Sequence, residues 1–248
     1  DHYFLTKVPV EYDESATCPD FLKFFQHICM DHMKRREWVE RTLQEYAGYL
    51  LYRTYDFKRY LILDGGGDNG KTTLMNILVM LIGEQNNTGM SLHTLSTQRF
   101  ALYNLYGKLG NISDELPDSI IKHSGTLKQT TGNSFLTAEV KNLKDGINFV
   151  NYAKHIYACN RLPEFKDTSD ASFSRLMQIT LLNKYVKEAD YELLDGISVF
   201  KAKKISSLLD SFKKELPGIL NWALEGLFRL LENGKFSVRI AGGIPRAV

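Results

Sequence analysis

The sequence is poor in the features that staple small folds or anchor a chain in a bilayer. It has three cysteines, Cys18, Cys29 and Cys159. They form neither a Cys-x-x-Cys pair nor an even framework, and read as reduced thiols packed as small hydrophobes in a cytosolic-type compartment. His27 and His32 stand five apart, not the four that puts two ligands on one helix face, so no metal site made of protein ligands alone is expected. The longest strongly apolar stretch without charge, Thr72 to Gly83, has 12 residues, whereas a membrane span needs about 20. No basic segment followed by an apolar run and a small-residue cleavage site opens the chain, so a cytoplasmic, non-secreted protein without membrane contact is expected. An excess of one charge is also missing: 31 basic against 29 acidic residues leave a net +2. That balance is too mild to name a nucleic-acid binder and does not exclude one, because a ring of subunits concentrates a few lysines in one channel.

What is present is ordinary globular composition, 44% hydrophobic and 24% charged, which excludes disordered and collagen-like classes. At roughly 150 residues per domain, 248 residues suggest one or two domains, burying about three-quarters of the unfolded surface. Residues 1–52 read as a helical N-terminal, oligomerisation-type portion. Phe21, Leu22, Phe25, Ile28, Cys29 and Met33 recur at helical spacing after Pro19 and Asp20, and Lys34 to Arg36 read as a solvated helix face. Residues 53–188 read as an α/β core with a parallel central sheet flanked by helices. Tyr60 to Leu63 is a buried strand feeding a glycine loop, and a helix follows it. Residues 189–248 read as a helical C-terminal segment, helical from Lys201 to Leu231, with Pro217 starting a new helix.

The chemistry concentrates at Gly65-Gly66-Gly67-Asp68-Asn69-Gly70-Lys71-Thr72-Thr73, which fits the phosphate-loop pattern of two glycines, lysine and threonine. At average usage this pattern arises by accident in roughly one such chain in a hundred, and the strand and helix around it lower that rate. Glycines let successive N–H groups and the helix N-terminus point at an anion. Lys71 supplies a cation for the β/γ-phosphates of ATP, and Thr72 a hydroxyl for Mg²⁺. Asp114-Glu115, 43 positions after Lys71 for the first of them, is the candidate acidic pair. One carboxylate would hold Mg²⁺ and the other polarise a water, although the run before it is only weakly apolar. His155 to Cys159 reads as a strand ending in Asn160, an amide able to orient that water; alone, such an Asn is a turn residue. Phe135 to Val140 and Ile147 to Tyr152 read as strands of a hairpin around Asp145-Gly146.

With these motifs the chain resembles the superfamily-3 helicases, in particular the ATPase module of phage, plasmid and poxvirus-type primase–helicases. The resemblance runs from Tyr3-Phe-Leu-Thr through Asp68 to Thr72, the acidic pair and Cys159-Asn160-Arg161-Leu162-Pro163, to Pro217-Gly-Ile-Leu-Asn-Trp222. It implies an AAA+-like P-loop core, with Lys71, Asp114, Glu115 and Asn160 catalytic and Thr72 and Asp114 on Mg²⁺. It further implies Arg175 as an arginine finger acting on the neighbouring subunit, and a DNA-contacting hairpin with Lys141 and Lys144, near which Lys128 lies. The expected protein is a ring-forming, hexameric helicase on single-stranded or forked DNA, with 3′→5′ polarity and a primase partner. Two departures stand out: a single arginine at Ser174-Arg175 where the family commonly has two, and Asn133 where an acidic residue is usual. Two other classes compete. A P-loop nucleotide or metabolite kinase would need an arginine-rich lid, and a DNA-binding module with a lapsed ATPase would not need Lys71, Asp114 and Asn160 intact.

Overall fold

The computed structural model describes residues 6–30, 36–114, 116, 124–163, 174–186, 193–194 and 197–237. In chain order the helices are α1 (Pro19–Cys29), α2 (Arg36–Leu51), α3 (Lys71–Ile82), α4 (Leu92–Thr97), α5 (Ser124–Thr130), α6 (Ile205–Lys214) and α7 (Leu216–Asn233). The strands are β1 (Tyr60–Asp64), β2 (Gly110–Ser113), β3 (Phe135–Val140), β4 (Leu143–Val150), β5 (Lys154–Cys159), β6 (Leu176–Thr180), β7 (Lys184–Val186), β8 (Leu193–Leu194) and β9 (Ile197–Lys201).

Residues two apart on a strand face the same way, and β1 uses this to cover both faces of a sheet. Leu61 and Leu63 join one core, with Ile156 and Ala158 of β5 and Met177 and Ile179 of β6, beneath α1, α2, α3, α6 and α7. Tyr60 and Ile62 face the other way, onto Tyr157, Leu176, Leu92, Leu116 and Leu127. The four central strands run parallel in the order β2-β5-β1-β6, so β5 separates β1 from β2. The N-terminal and C-terminal helices share the first core. Their tightest contact is α2 on α7, where a Cβ on Gly226 would overlap the Gln44 carbonyl and lie 2.8 Å from the Glu45 nitrogen.

Strand β2 is buried throughout despite its weakly apolar sequence, and its fully buried Asn111 is saturated with partners. The Asn111 amide oxygen accepts from Thr88 Oγ1 (2.8 Å) and the Met90 N–H (2.7 Å). Its nitrogen faces Met90 O, Tyr157 Oη and His155 Nδ1. Thr130 donates its hydroxyl to Thr126 O and therefore accepts from His155 Nε2 at 2.8 Å. This leaves Nδ1 as the acceptor for Asn111 and keeps the imidazole neutral, in keeping with a pKa that burial pushes down to about 3.

Two segments differ from expectation. The C-terminal portion carries strands β8 and β9 ahead of its helices, with Ser198, Val199 and Phe200 of β9 buried beside β7; helix starts only at Ile205. The hairpin turns at Lys141-Asn142, with Val140 paired to Leu143 and Asn142 at φ 67°. Asp145-Gly146 instead lies inside β4, where the register shifts. Gly146 takes φ 64° there, and a Cβ on it would lie 2.6 Å from Ala138 O, so the bulge asks for glycine at this left-handed position.

Candidate functional site

The loop between β1 and α3 is shaped by its own lysine. Lys71 Nζ donates to Gly65 O (2.7 Å), Gly66 O (3.2 Å) and Asn69 Oδ1 (3.0 Å). Asn69 in turn donates from Nδ2 to Leu181 O (3.1 Å), fastening the loop to the end of β6. Gly70 closes the loop at φ 89°, and a side chain there would press on Ile28 and Phe24, so glycine is required on two counts. Gly66 and Gly67 face open space. Helix α3 starts at Lys71 with no side-chain cap, which leaves the first-turn N–H groups free to meet an anion. Only 8% of Lys71 is exposed. Burial lowers its pKa, and Cys159, Asp64 and Asp68 oppose that shift by favouring the charged form.

Topology brings the other candidates to this loop. Asp64, Cys159 and Thr180 are register partners at the C-terminal ends of β1, β5 and β6, and Ser113 ends β2 opposite Tyr157. Asn160 therefore follows the strand next to the loop, and Asp114 follows one strand further out, about 10 Å from β1 at two strand spacings. All three motifs line one cleft of about 580 Å³, which Lys71, Thr72, Thr73, Asp114 and Asn160 share. That volume suits a small-molecule ligand. Thr72, Asp114 and Asn160 are exposed to it. Glu115 lies outside the described residues. The donor set fits a magnesium–triphosphate: an open glycine loop, a buried ammonium, and a hydroxyl and a carboxylate on the same cleft.

The far wall of the cleft went unread in the sequence. Phe24 of α1, Tyr185 of β7, and Ala202, Lys203, Ile205 and Leu208 around α6 complete it. The Phe24 and Tyr185 rings stack at 6.5 Å and 24°, and the Tyr185 N–H is tied to Asp68 O of the loop at 2.6 Å. No local pattern marks these residues, since their role comes from three distant segments meeting at one place. The cleft thus has one end lined by the glycine loop and the Lys71 ammonium and another that is aromatic and aliphatic.

The remaining candidates sit elsewhere. Arg175 immediately precedes β6, at the opposite end of the sheet, roughly 16 Å along the strand from the level of Asp64. Its carbonyl accepts from the Tyr60 N–H. Its guanidinium donates to Lys128 O and, at 2.9 Å, to Thr131 Oγ1. Lys141 and Lys144 are exposed at the hairpin turn and the start of β4, whereas Lys128 lies on α5, half-buried and outside the hairpin. Asn133, at the usually acidic position, accepts from the Tyr55 N–H and donates to Asp56.

Known proteins resemble the chain in sequence and in fold. Residues 63–175 match the family of unknown function DUF5906, a span that starts one residue before the end of β1 and includes every candidate from the glycine loop to Arg175. The chain is similar to a protein of Acanthamoeba polyphaga mimivirus named "Putative helicase", 27% identical over 162 residues, covering 61% of this chain and 17% of that protein. Its fold is similar to part of the NrS-1 C-terminal region. The A-form apo structure of that region superposes with a TM-score of 0.61 at 18% identity, over 89% of this chain and 48% of the other. A second apo structure, of residues 305–718, gives 0.57 at 18% identity over 94% and 55%. The chain therefore spans about half the length of those structures and under a fifth of the viral protein. Among the described residues no helix is long and apolar enough to cross a membrane, and no three acidic, histidine or cysteine side chains gather into a metal cluster.

Proposed function

We propose that the chain is the ATP-hydrolysing motor portion of a DNA helicase that serves replication. The observation that carries this reading is the meeting of the Lys71 loop, Asp114 and Asn160 in one cleft at the C-terminal ends of a parallel sheet, with β5 between the other two strands. The likeness to a viral protein named as a helicase supports it.

In this reading Gly65 to Thr73 form a phosphate-binding loop. Its Lys71 exchanges the Gly65 and Gly66 carbonyls for the β/γ-phosphates of ATP, gaining charge-assisted contacts in place of neutral ones. Thr72 and Asp114 hold Mg²⁺, which neutralises the phosphate charge when bound. Glu115 acts as the base toward the attacking water and Asn160 orients it. The nucleobase lies toward Phe24, Tyr185 and Leu208. Arg175 stands too far from its own loop to serve it, so it acts on the nucleotide of a neighbouring subunit, which makes hydrolysis depend on a ring, a hexamer by resemblance. The Lys141/Lys144 hairpin meets the phosphates of single-stranded DNA. A superfamily-3 assignment and 3′→5′ movement belong to the same reading, and a primase is the partner it implies.

The test is the ATPase rate against protein concentration, with and without single-stranded DNA, with mass determined on the same samples. A rate that climbs with assembly and with DNA is expected. A concentration-independent rate from a monomer, indifferent to DNA, would return a kinase-type reading to first place.

A further inference from the structure

Between α4 and β2 the chain makes a short 3-10 helix, Ala101–Leu105, that packs beneath the hairpin: Ala101 and Leu105 share a core with Leu136, Ala138 and Phe149. A 3-10 helix has three residues per turn, so positions i and i+3 stand one above the other. Tyr103 lies in the helix and Tyr106 caps its end, donating its N–H to Tyr103 O, which sets the two about one turn apart. Their rings stack at 6.4 Å and 17°, and Tyr106 also meets the edge of Phe149 in β4. The two rings remain 41% and 43% exposed, beside Phe100 at 41%. Three large aromatics within seven residues, left open to solvent while their aliphatic neighbours are buried, call for an occupant. Arg99 adds a cation over the Phe100 ring at 5.5 Å and pairs with Glu139 on the hairpin.

We propose that Tyr103 and Tyr106 form a base-stacking platform for single-stranded nucleic acid, continuous with the hairpin. The charges at hand decide what kind of contact this is. Arg99 and the hairpin together carry three cations, Arg99, Lys141 and Lys144, and two anions, Glu139 and Asp145, with Arg99 already paired to Glu139, so phosphate attraction alone gives a weak and salt-labile hold. Stacking on an exposed aromatic face is insensitive to salt and tolerant of sequence, and it supplies what the charges do not. The platform and the turn at Lys141-Asn142 are joined through Phe149, which stands roughly 17 Å along β4 from Lys144. One strand then meets rings at one end and ammonium groups at the other. The proposal rests on the reading of the hairpin as the DNA-facing element, and not on hydrolysis.

The experiment is binding of the nucleotide-free protein to a fluorescent oligo-deoxythymidine of about twenty residues and to the same backbone without bases, at several salt concentrations. Wild type is expected to hold the base-bearing strand about tenfold more tightly than the abasic one. Tyr103→Ala removes that preference without changing the salt slope, and Tyr103→Phe keeps it. Lys141→Ala with Lys144→Ala lowers the slope by about 1.4 and leaves the preference for bases. Equal affinity of wild type for the two strands would overturn the proposal. So would a Tyr103→Ala protein that binds as wild type does, or one that changes mass instead of DNA affinity, which would make the rings a subunit contact. A wild type that turns over ATP but binds neither strand would sink the platform and leave the motor standing.

Discussion

On the proposed reading, replacing Arg175 by alanine removes two things at once, and their sizes differ enough to be told apart. Within the subunit the guanidinium ties the start of β6 to the last turn of α5 through Lys128 O and Thr131 Oγ1. A hydrogen bond from a charged group contributes about 1.5–3 kcal/mol. For a half-buried fork making two of them, a loss near the low end of the sum, about 3 kcal/mol, is expected. At this chain length each kcal/mol moves the melting midpoint about 2–4 °C, so Tm should fall by about 6–12 °C. Between subunits, loss of an arginine finger lowers turnover by about 10³-fold or more. Circular-dichroism melting gives the first quantity, and ATP turnover per folded subunit, measured well below both midpoints, gives the second. Mixing Arg175→Ala with Lys71→Ala should restore part of the rate. Interfaces form in which an intact Lys71 loop meets an intact Arg175 from its neighbour. A fall in Tm of the expected size with unchanged turnover per folded subunit would refute the trans role and leave Arg175 a tie within its own fold.

Lys71→Ala should reduce ATP turnover to background and abolish binding of a fluorescent ATP analogue, while near-ultraviolet circular dichroism shows the fold retained. Gly226→Ala forces a methyl into the Gln44 carbonyl where α2 crosses α7; overpacking of this kind costs about 1–3 kcal/mol, which urea denaturation would register as a lower midpoint at constant slope. Acidification should weaken the fold through His155. Its pKa falls from 6.5 to about 3 on burial, so between those values the unfolded chain binds a proton that the folded chain refuses. Stability therefore drops as pH falls through that window, by about 2 kcal/mol between pH 7 and pH 5 from this residue alone. A His155→Gln protein should lose that part of the pH dependence, as urea titrations at the two pH values would show.

The cleft was half legible in the sequence, for a physical reason. Lys71, Thr72 and the glycines act through backbone geometry set within nine residues, so their spacing carries the signal. Asp114 and Asn160 follow readable strands, but their meeting on one side of the β1 loop depends on the order β2-β5-β1-β6, which no local pattern encodes. Phe24, Tyr185 and Lys203 reach the cleft from α1, β7 and the β9–α6 connection; each looks like any helix or strand residue until the chain has folded. The weakness of the β2 signal has a particular cause. Asn111 breaks the apolar run, and its burial is tolerated because Thr88, Met90, His155 and Tyr157 complete its hydrogen bonds. The hairpin was seen but its turn was misplaced. Asp-Gly is a strong turn pair in general, yet here Gly146 serves a bulge, and Asn142, which also tolerates a left-handed backbone, makes the reversal.

The clasp between α2 and α7 sets a timetable for the birth of this molecule. Gln44 donates to Trp222 O across 178 residues of chain, and Phe21 and Phe25 pack their rings on Trp222 as well. At about 5–20 residues per second, a ribosome delivers Trp222 roughly 10–35 s after Gln44. For that interval the apolar faces of α1 and α2 wait without their final partner, and the same faces complete the core that supports the Lys71 helix. On the proposed reading, competence to bind nucleotide is therefore a late event in synthesis, and the nascent N-terminal helices are the segment on which a chaperone would act.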